Sequence, residues 1–195
     1  MPYTVTAAPA IEPVTTSELK AYLRYSRSTE DSLIGTLITA ARQQLEGLTR
    51  RPLVTQTLAA SFPDWPDGGF FALPFGNALT LSSLKYRDET NAEITVTLSG
   101  NVYLVSAVQP GRVYFVDGYS FPSLYNREDA VIVTATAGYG ATTASVPEAL
   151  RLAVMQLAAY WFEQRLPVNV GNLVSPMPLH VHTIVNRYRV IVTEP

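Results

Sequence analysis

The sequence has no cysteine, only two histidines, and only two lysines, Lys20 and Lys85, among its fourteen basic residues. Without cysteine there is no disulfide framework and no thiolate metal site, which suits a protein assembled in a reducing cytoplasm. No apolar run reaches the roughly 20 residues needed to cross a bilayer. The start, MPYTVTAAPAIEP, lacks the basic and apolar regions of a signal peptide, so neither a membrane nor a secretory leader is expected. Charge is scarce as well. Charged residues make up 15% of the 195, and the net charge is −2, which gives no global field for nucleic acid. A phosphate-cradling G-x-x-x-x-G-K-[ST] loop and a G-x-S-x-G nucleophile elbow are also missing.

The composition that remains is that of a globular protein, with 47% hydrophobic residues and enough length for one sizeable core or two small ones. Twelve of the basic residues are Arg. The arginine fork suits charges paired at an interface, although an Arg-rich coding bias would leave the same trace.

Residues 1–13 hold three prolines and no period, and are expected to form an extended arm. In VTTSELKAYLRY, Thr15 and Glu18 have the spacing of a capping box, with Val14 placed to staple onto Leu19 and with Leu19, Tyr22 and Leu23 on the buried side. A second helix restarts near Ser28 or Thr29 and carries Leu33, Ile34, Leu37, Ile38, Ala41, Leu45 and Leu48 on one face. Pro52 prevents it from continuing. From Leu53 to Ala137 the period falls to two. LVTQTLAASF, LTLSSLKYRD, AEITVTLS, NVYLVSAV, GRVYFVDG and DAVIVTATAG read as strands, with DETN turning a hairpin and Ile94, Val96 and Leu98 on its half-buried side. Gly138 and Gly140 permit the tight exit. The longest helical period follows in Ser145–Arg165. Leu150, Val154, Leu157, Ala158 and Trp161 form its stripe, and Ser145 and Glu148 read as a second capping box. PVNVGNLVSPMP is aperiodic, and LHVHTIVNRYRVIV suggests a short last helix.

The predicted fold is α+β. Its helical core, residues 14–51 and 145–166, is interrupted by an inserted antiparallel β-rich domain, residues 52–144. An N-terminal arm, 1–13, and a C-terminal linker and arm, 167–195, flank it.

Candidate chemistry is thin. His180 and His182 have no third ligand nearby, so zinc is not expected and no metal or cofactor is assigned. The acid pairs Asp64/Asp67, Asp88/Glu89 and Glu128/Asp129 have the residue types of a two-carboxylate hydrolase, but each lies among turn residues that favour Asp for backbone reasons. TATAGYG has the look of a potassium filter but lacks flanking membrane helices. Tyr114, Phe115, Tyr119, Phe121 and Tyr125, with Arg112 and Arg127 at their edges, suit either a stacking platform for single-stranded nucleic acid or an aromatic core. The absence of a basic stripe favours the core.

The succession VTTSELKAYLR, EDSLIGTLITAARQQLEGLTRRPLVTQT, PGRVYFVDGYSFPSLYNREDAVIVTATAGYG and VPEALRLAVMQLAAYWFEQR, closed by MPLHVHTIVNRYRV, resembles the head–tail connector, or portal-adaptor, proteins of long-tailed bacteriophages and phage-like gene-transfer particles. The likeness spans most of residues 14–190. Phe121-Pro122 stands where Trp-Pro is expected. The resemblance implies a non-enzymatic virion protein at the head–tail junction, made in the host cytoplasm. Such proteins form a homo-oligomeric ring, usually of twelve copies, between the portal protein and a tail-side stopper or tail-terminator protein. The ring surrounds a channel that DNA crosses without sequence-specific binding.

It further implies portal docking through Met177, Leu179, Ile184, Arg187, Tyr188 and Arg189. Subunit contacts are expected at Tyr160, Trp161 and Arg165, and a tail-side loop at Asp64, Trp65 and Asp67. The rival readings are another virion component, such as a tail-completion or baseplate module, and a carbohydrate-active hydrolase using the loop carboxylates.

Overall fold

The computed structural model describes residues 3–164 and 178–191. The chain divides into two compact units. One, built of strands, comprises Met1–Ala10, Thr55–Gly138 and Val190–Pro195; the other, built of helices, comprises Ile11–Val54 and Tyr139–Arg189. The α+β class expected from the two periodicities is what forms.

In the strand unit, β1 (Tyr3–Ala7), β2 (Gln56–Phe62), β8 (Val131–Ala137), β4 (Ala78–Arg87) and β5 (Glu93–Thr95) form an antiparallel sheet in that order. The strands β3 (Phe70–Ala72), β7 (Arg112–Phe115) and β6 (Val102–Val105) form a second antiparallel sheet. Alternation decides which side chains enter the core. Leu58, Ala60 and Phe62 of β2, Val131, Val133 and Ala135 of β8, and Leu84 of β4 meet Phe71, Val113, Phe115 and Val102 of the smaller sheet in one apolar cluster. Gly111 is required at a close approach, because a Cβ there would stand 2.9 Å from that of Ala78.

In the helical unit, α1 (Thr16–Leu23) and α2 (Asp31–Thr49) are joined by α3 (Glu148–Glu163) and α4 (Leu179–Tyr188). Ile34, Ile38, Ala41 and Leu45 of α2 share a core with Leu150, Val154 and Leu157 of α3, Leu19 of α1, and Val181 and Val185 of α4. The Thr15–Glu18 capping box forms in full: Glu18 N donates to Thr15 Oγ1 at 3.2 Å, and Thr15 N donates to Glu18 Oε2 at 2.7 Å.

Several expectations are corrected. The first residues are extended, but Tyr3–Ala7 is a strand paired with β2 and not a loose arm. Its β-prone Tyr-Thr-Val-Thr run supplies the backbone partners that the edge of β2 would otherwise lack. Ser145 does not cap α3. It ends a 3-10 turn (Thr143–Ser145), its hydroxyl shares a 2.8 Å hydrogen bond with Thr142 Oγ1, and the N-cap is Pro147. Tyr22, Leu33 and Leu48 are exposed at 48%, 40% and 38%, because the seam of each helix is narrower than its apolar stripe. Of the second strand expected in the β4–β5 hairpin only Glu93–Thr95 forms, with Ile94 exposed and Val96 buried. The linker expected after α3 lies, up to Met177, outside the described residues.

Candidate interaction surfaces

Three surfaces collect the residues singled out from the sequence. On α3, Trp161 packs against the helical core, while Tyr160 is half-buried and lies outside the core cluster. Tyr160 shares a helix face with Gln156 and with the exposed Leu152, at successive spacings of four. Leu152 is not among the residues singled out from the sequence, and its spacing of eight from Tyr160 puts it on that face. Arg165 lies outside the described residues.

On α4 the amphipathic pattern divides the predicted docking residues. Val181 and Val185 are buried, Ile184 and Tyr188 pack partly against the core, and Arg187 and Arg189 are exposed. Leu179 begins the helix with 83% of its surface exposed, and Ile191 beyond its end has 78% exposed. Single exposed leucines are ordinary, but these values mark an apolar helix start and exit without cover among the described residues. Met177 lies outside the described residues. Arg51 Nε donates to the Tyr188 carbonyl at 2.6 Å, tying the exit of α2 to the last turn of α4.

In the Pro63–Gly69 loop, Asp64 and Asp67 face solvent whereas Trp65 turns inward. The indole lies 5.3 Å from Phe121, 5.5 Å from Tyr86 and 5.7 Å from Phe115 between ring centroids, and its Nε1–H donates to the Pro122 carbonyl at 2.7 Å. Trp65 is therefore the anchor of the loop, and the two aspartates are its outward groups. The aromatic run is mostly core: Phe115 is buried and Tyr119 packs beside it, with burial raising the Tyr119 phenol. Tyr114 instead lies on the other face of the small sheet, stacked on Tyr103 at 5.6 Å and 12° and beside Phe70 at 5.0 Å, with Arg112 over the Phe70 ring.

The remaining candidate acids serve local structure. Asp88 is held below the usual carboxylate range first by the Thr90 hydroxyl and then by the Ala92 N–H, as the acceptor that closes its turn. Asp129 is lowered chiefly by its hydrogen bond from Arg127. His180 and His182 are both exposed on α4. Among the described residues no group of three His, Cys, Asp or Glu side chains gathers as a metal site, and no helix is long and apolar enough to cross a membrane.

The family model for head completion proteins matches residues 12–191. The chain belongs to the head completion protein family. It is thus a structural protein of the head–tail connection, as the resemblance implied. Solved structures share its fold over the whole chain. A chain from the neck of an empty gene transfer agent (GTA) particle computed with C6 symmetry has a TM-score of 0.80 at 23% identity, covering 100% of this chain and 98% of that one. A chain from the virion of a native gene transfer agent particle has a TM-score of 0.78 at 23% identity, with the same coverage. A chain from the neck of a native GTA particle computed with C12 symmetry has a TM-score of 0.72 at 22% identity, again covering 100% and 98%. No curated protein matches the sequence. The family match begins at Glu12 and so leaves out β1.

Proposed function

We propose that this protein forms a ring, of about twelve copies as the resemblance implies, in the neck of a tailed phage or phage-like particle, between a portal protein and a tail-side stopper or terminator. Its role there is structural, and the ring surrounds the channel that DNA crosses on leaving the head. The observation that carries this reading is the family match across residues 12–191. Like folds in GTA necks computed with C6 and C12 symmetry support a cyclic arrangement. In such a ring Tyr160, Trp161 and Arg165 meet a neighbouring copy. The C-terminal segment docks on the portal through Met177, Leu179, Ile184, Arg187, Tyr188 and Arg189, with the uncovered Leu179 as its lead contact. The Pro63–Gly69 loop presents Asp64 and Asp67 to the tail side, supported from within by Trp65.

The test is to image the purified protein, alone and with its portal, by negative-stain microscopy. Rings on the portal are expected, and free monomers at all ratios would overturn the reading. A variant lacking residues 177–195 should lose portal binding. Equal binding would refute that docking assignment while leaving the ring intact. Shortening Pro63–Gly69 should impair tail joining and spare head filling.

A further inference from the structure

One end of the helical unit, where α2 and α4 both finish, carries four arginines. The Arg51–Tyr188 hydrogen bond brings Arg50 and Arg51 to Arg187 and Arg189. Arg50, Arg187 and Arg189 are exposed and form no ion pair among the described residues. Of the other acids in the unit, Glu12 and Glu46 are engaged by Arg42, Glu18 and Glu148 by Arg151, and Asp31 by Lys20, while Glu163 is exposed at the end of α3. A helix C-terminus favours a nearby cation, but that accounts for one arginine at each helix end, not for four together.

The opposite charge stands on the other unit. Among the described residues the helical unit has nine Lys and Arg against seven Asp and Glu, whereas the strand unit has four against eight. In the strand unit the β4–β5 turn and Ser123 border an open cleft of about 350 Å³, lined by Asp88, Glu89, Thr90 and Ser123. Arg127 Nη1 donates to Asn91 Oδ1 at 3.1 Å, which puts Glu128 beside the same turn. Glu89 and Glu128 are exposed and form no ion pair among the described residues. Carboxylates and hydroxyls are the acceptors that a guanidinium fork takes.

We propose that the arginine patch of one copy docks on the acidic cleft of the next copy. This rests on the ring reading above and gives it a direction. Two different patches make a head-to-tail contact that repeats from copy to copy and gives a ring where the rotation between copies closes, while patch against patch, or cleft against cleft, is repelled. The contact takes Arg187 and Arg189 from the portal docking proposed above and leaves it the Leu179 end of α4, which stands eight residues, roughly 12 Å along the helix, before Arg187.

Two neutral variants test the contact: Arg50→Gln/Arg187→Gln/Arg189→Gln, and Glu89→Gln/Glu128→Gln. All five positions are on the surface, and circular dichroism and melting check that each variant folds. Each alone should assemble on the portal at least roughly tenfold more weakly than the unaltered chain. Mixed in equal amounts without portal at low salt, they retain one good patch and one good cleft between them. Sedimentation velocity should then show a 1:1 dimer that neither variant forms alone and that added salt dissolves. If the unaltered chain forms rings and both variants do so equally well, the proposal is wrong and the ring reading stands. If the unaltered chain forms no ring but the mixture dimerises, the contact stands and the ring reading fails. A folded mixture that stays monomeric overturns the proposal. So does retardation of a short DNA duplex that the arginine variant loses without loss of assembly, which would assign the patch to nucleic acid.

Discussion

Arg42 and Glu12, thirty residues apart in sequence, are locked together: Arg42 Nε donates to Glu12 Oε2 at 2.7 Å. Arg42 is only 5% exposed. Its Nη1 donates at 2.7 Å to Glu46 one turn on, and Glu46 Oε1 accepts the Leu53 N–H at 2.8 Å. One guanidinium therefore fixes both the entry to α1 and the exit from α2. Removing it takes the countercharge from two carboxylates, one of them buried. Arg42→Ala is expected to cost about 3–5 kcal/mol. Glu12→Gln, which keeps an acceptor at a half-exposed site, should cost about 1 kcal/mol. Urea unfolding followed by circular dichroism measures both, and a cost below that of Glu12→Gln for the arginine variant would refute the argument.

The capping box of α1 predicts a pH dependence. Glu18 is held below its usual value of 4.5 first by the Thr15 N–H, then by the Thr15 hydroxyl and Arg151, against an opposing effect of burial. A carboxylate depressed in the folded state stabilises it above the unfolded pKa, and that contribution is lost as pH falls through the folded pKa. Stability should therefore decline on acidification below about pH 4.5, and Glu18→Gln should flatten part of that decline while lowering stability at neutral pH. Thr15→Ala should cost about 1 kcal/mol across the range. Melting curves from pH 3 to 7 read both effects.

These networks also show what sequence pattern reveals and what it hides. Thr15 and Glu18 are three residues apart, so local spacing alone specifies their bond. The stripe Ile34–Ile38–Ala41–Leu45 and the alternation in β8 are legible for the same reason, since each element imposes its own period on the residues that it buries. Arg51 and Tyr188 are 137 residues apart, and nothing local foretells their contact. β1 does not read as a strand because an edge strand is defined by its partner, here β2, more than by its own residues. Trp65 sits among Pro, Asp and Gly, the composition of a turn, yet it points inward because Phe71, Phe115 and Tyr86 of other strands form a place for it. The candidate surfaces are legible only as residue types; their exposure depends on the packing of neighbours.

Trp65 and its flanking acids should separate sharply on mutation. Trp65→Ala removes a large ring from an aromatic cluster and leaves the Pro122 carbonyl without its indole donor, for an expected loss of about 3 kcal/mol. Asp64→Ala and Asp67→Ala touch solvent-facing groups and should stay within about 0.5 kcal/mol. A defect in tail joining from the aspartate variants, at unchanged melting temperature, would then report contact and not folding. The same defect from Trp65→Ala alone would report a collapsed loop.

Ser145 gives the clearest contrast between a motif and its execution. It precedes Glu148 by the same interval that separates Thr15 from Glu18, but its hydroxyl bonds Thr142 and caps no helix. Ser145→Ala should thus cost less than about 0.5 kcal/mol, below the cost of Thr15→Ala. Its bulk matters more than its hydrogen bond, because a Cβ at Gly140 would meet the Ser145 Oγ as well as its Cβ. Gly140 has φ of +154°, and a Cβ added there would lie 2.6 Å from the Ser145 Cβ. Gly140→Ala combines this overlap with an unfavourable backbone conformation, and a loss of about 1–3 kcal/mol is expected. Ser145→Gly in the Gly140→Ala background removes the overlap but not the backbone strain, so it should recover part of the loss. Full recovery would assign the glycine requirement to the close approach alone, and no recovery would assign it to φ.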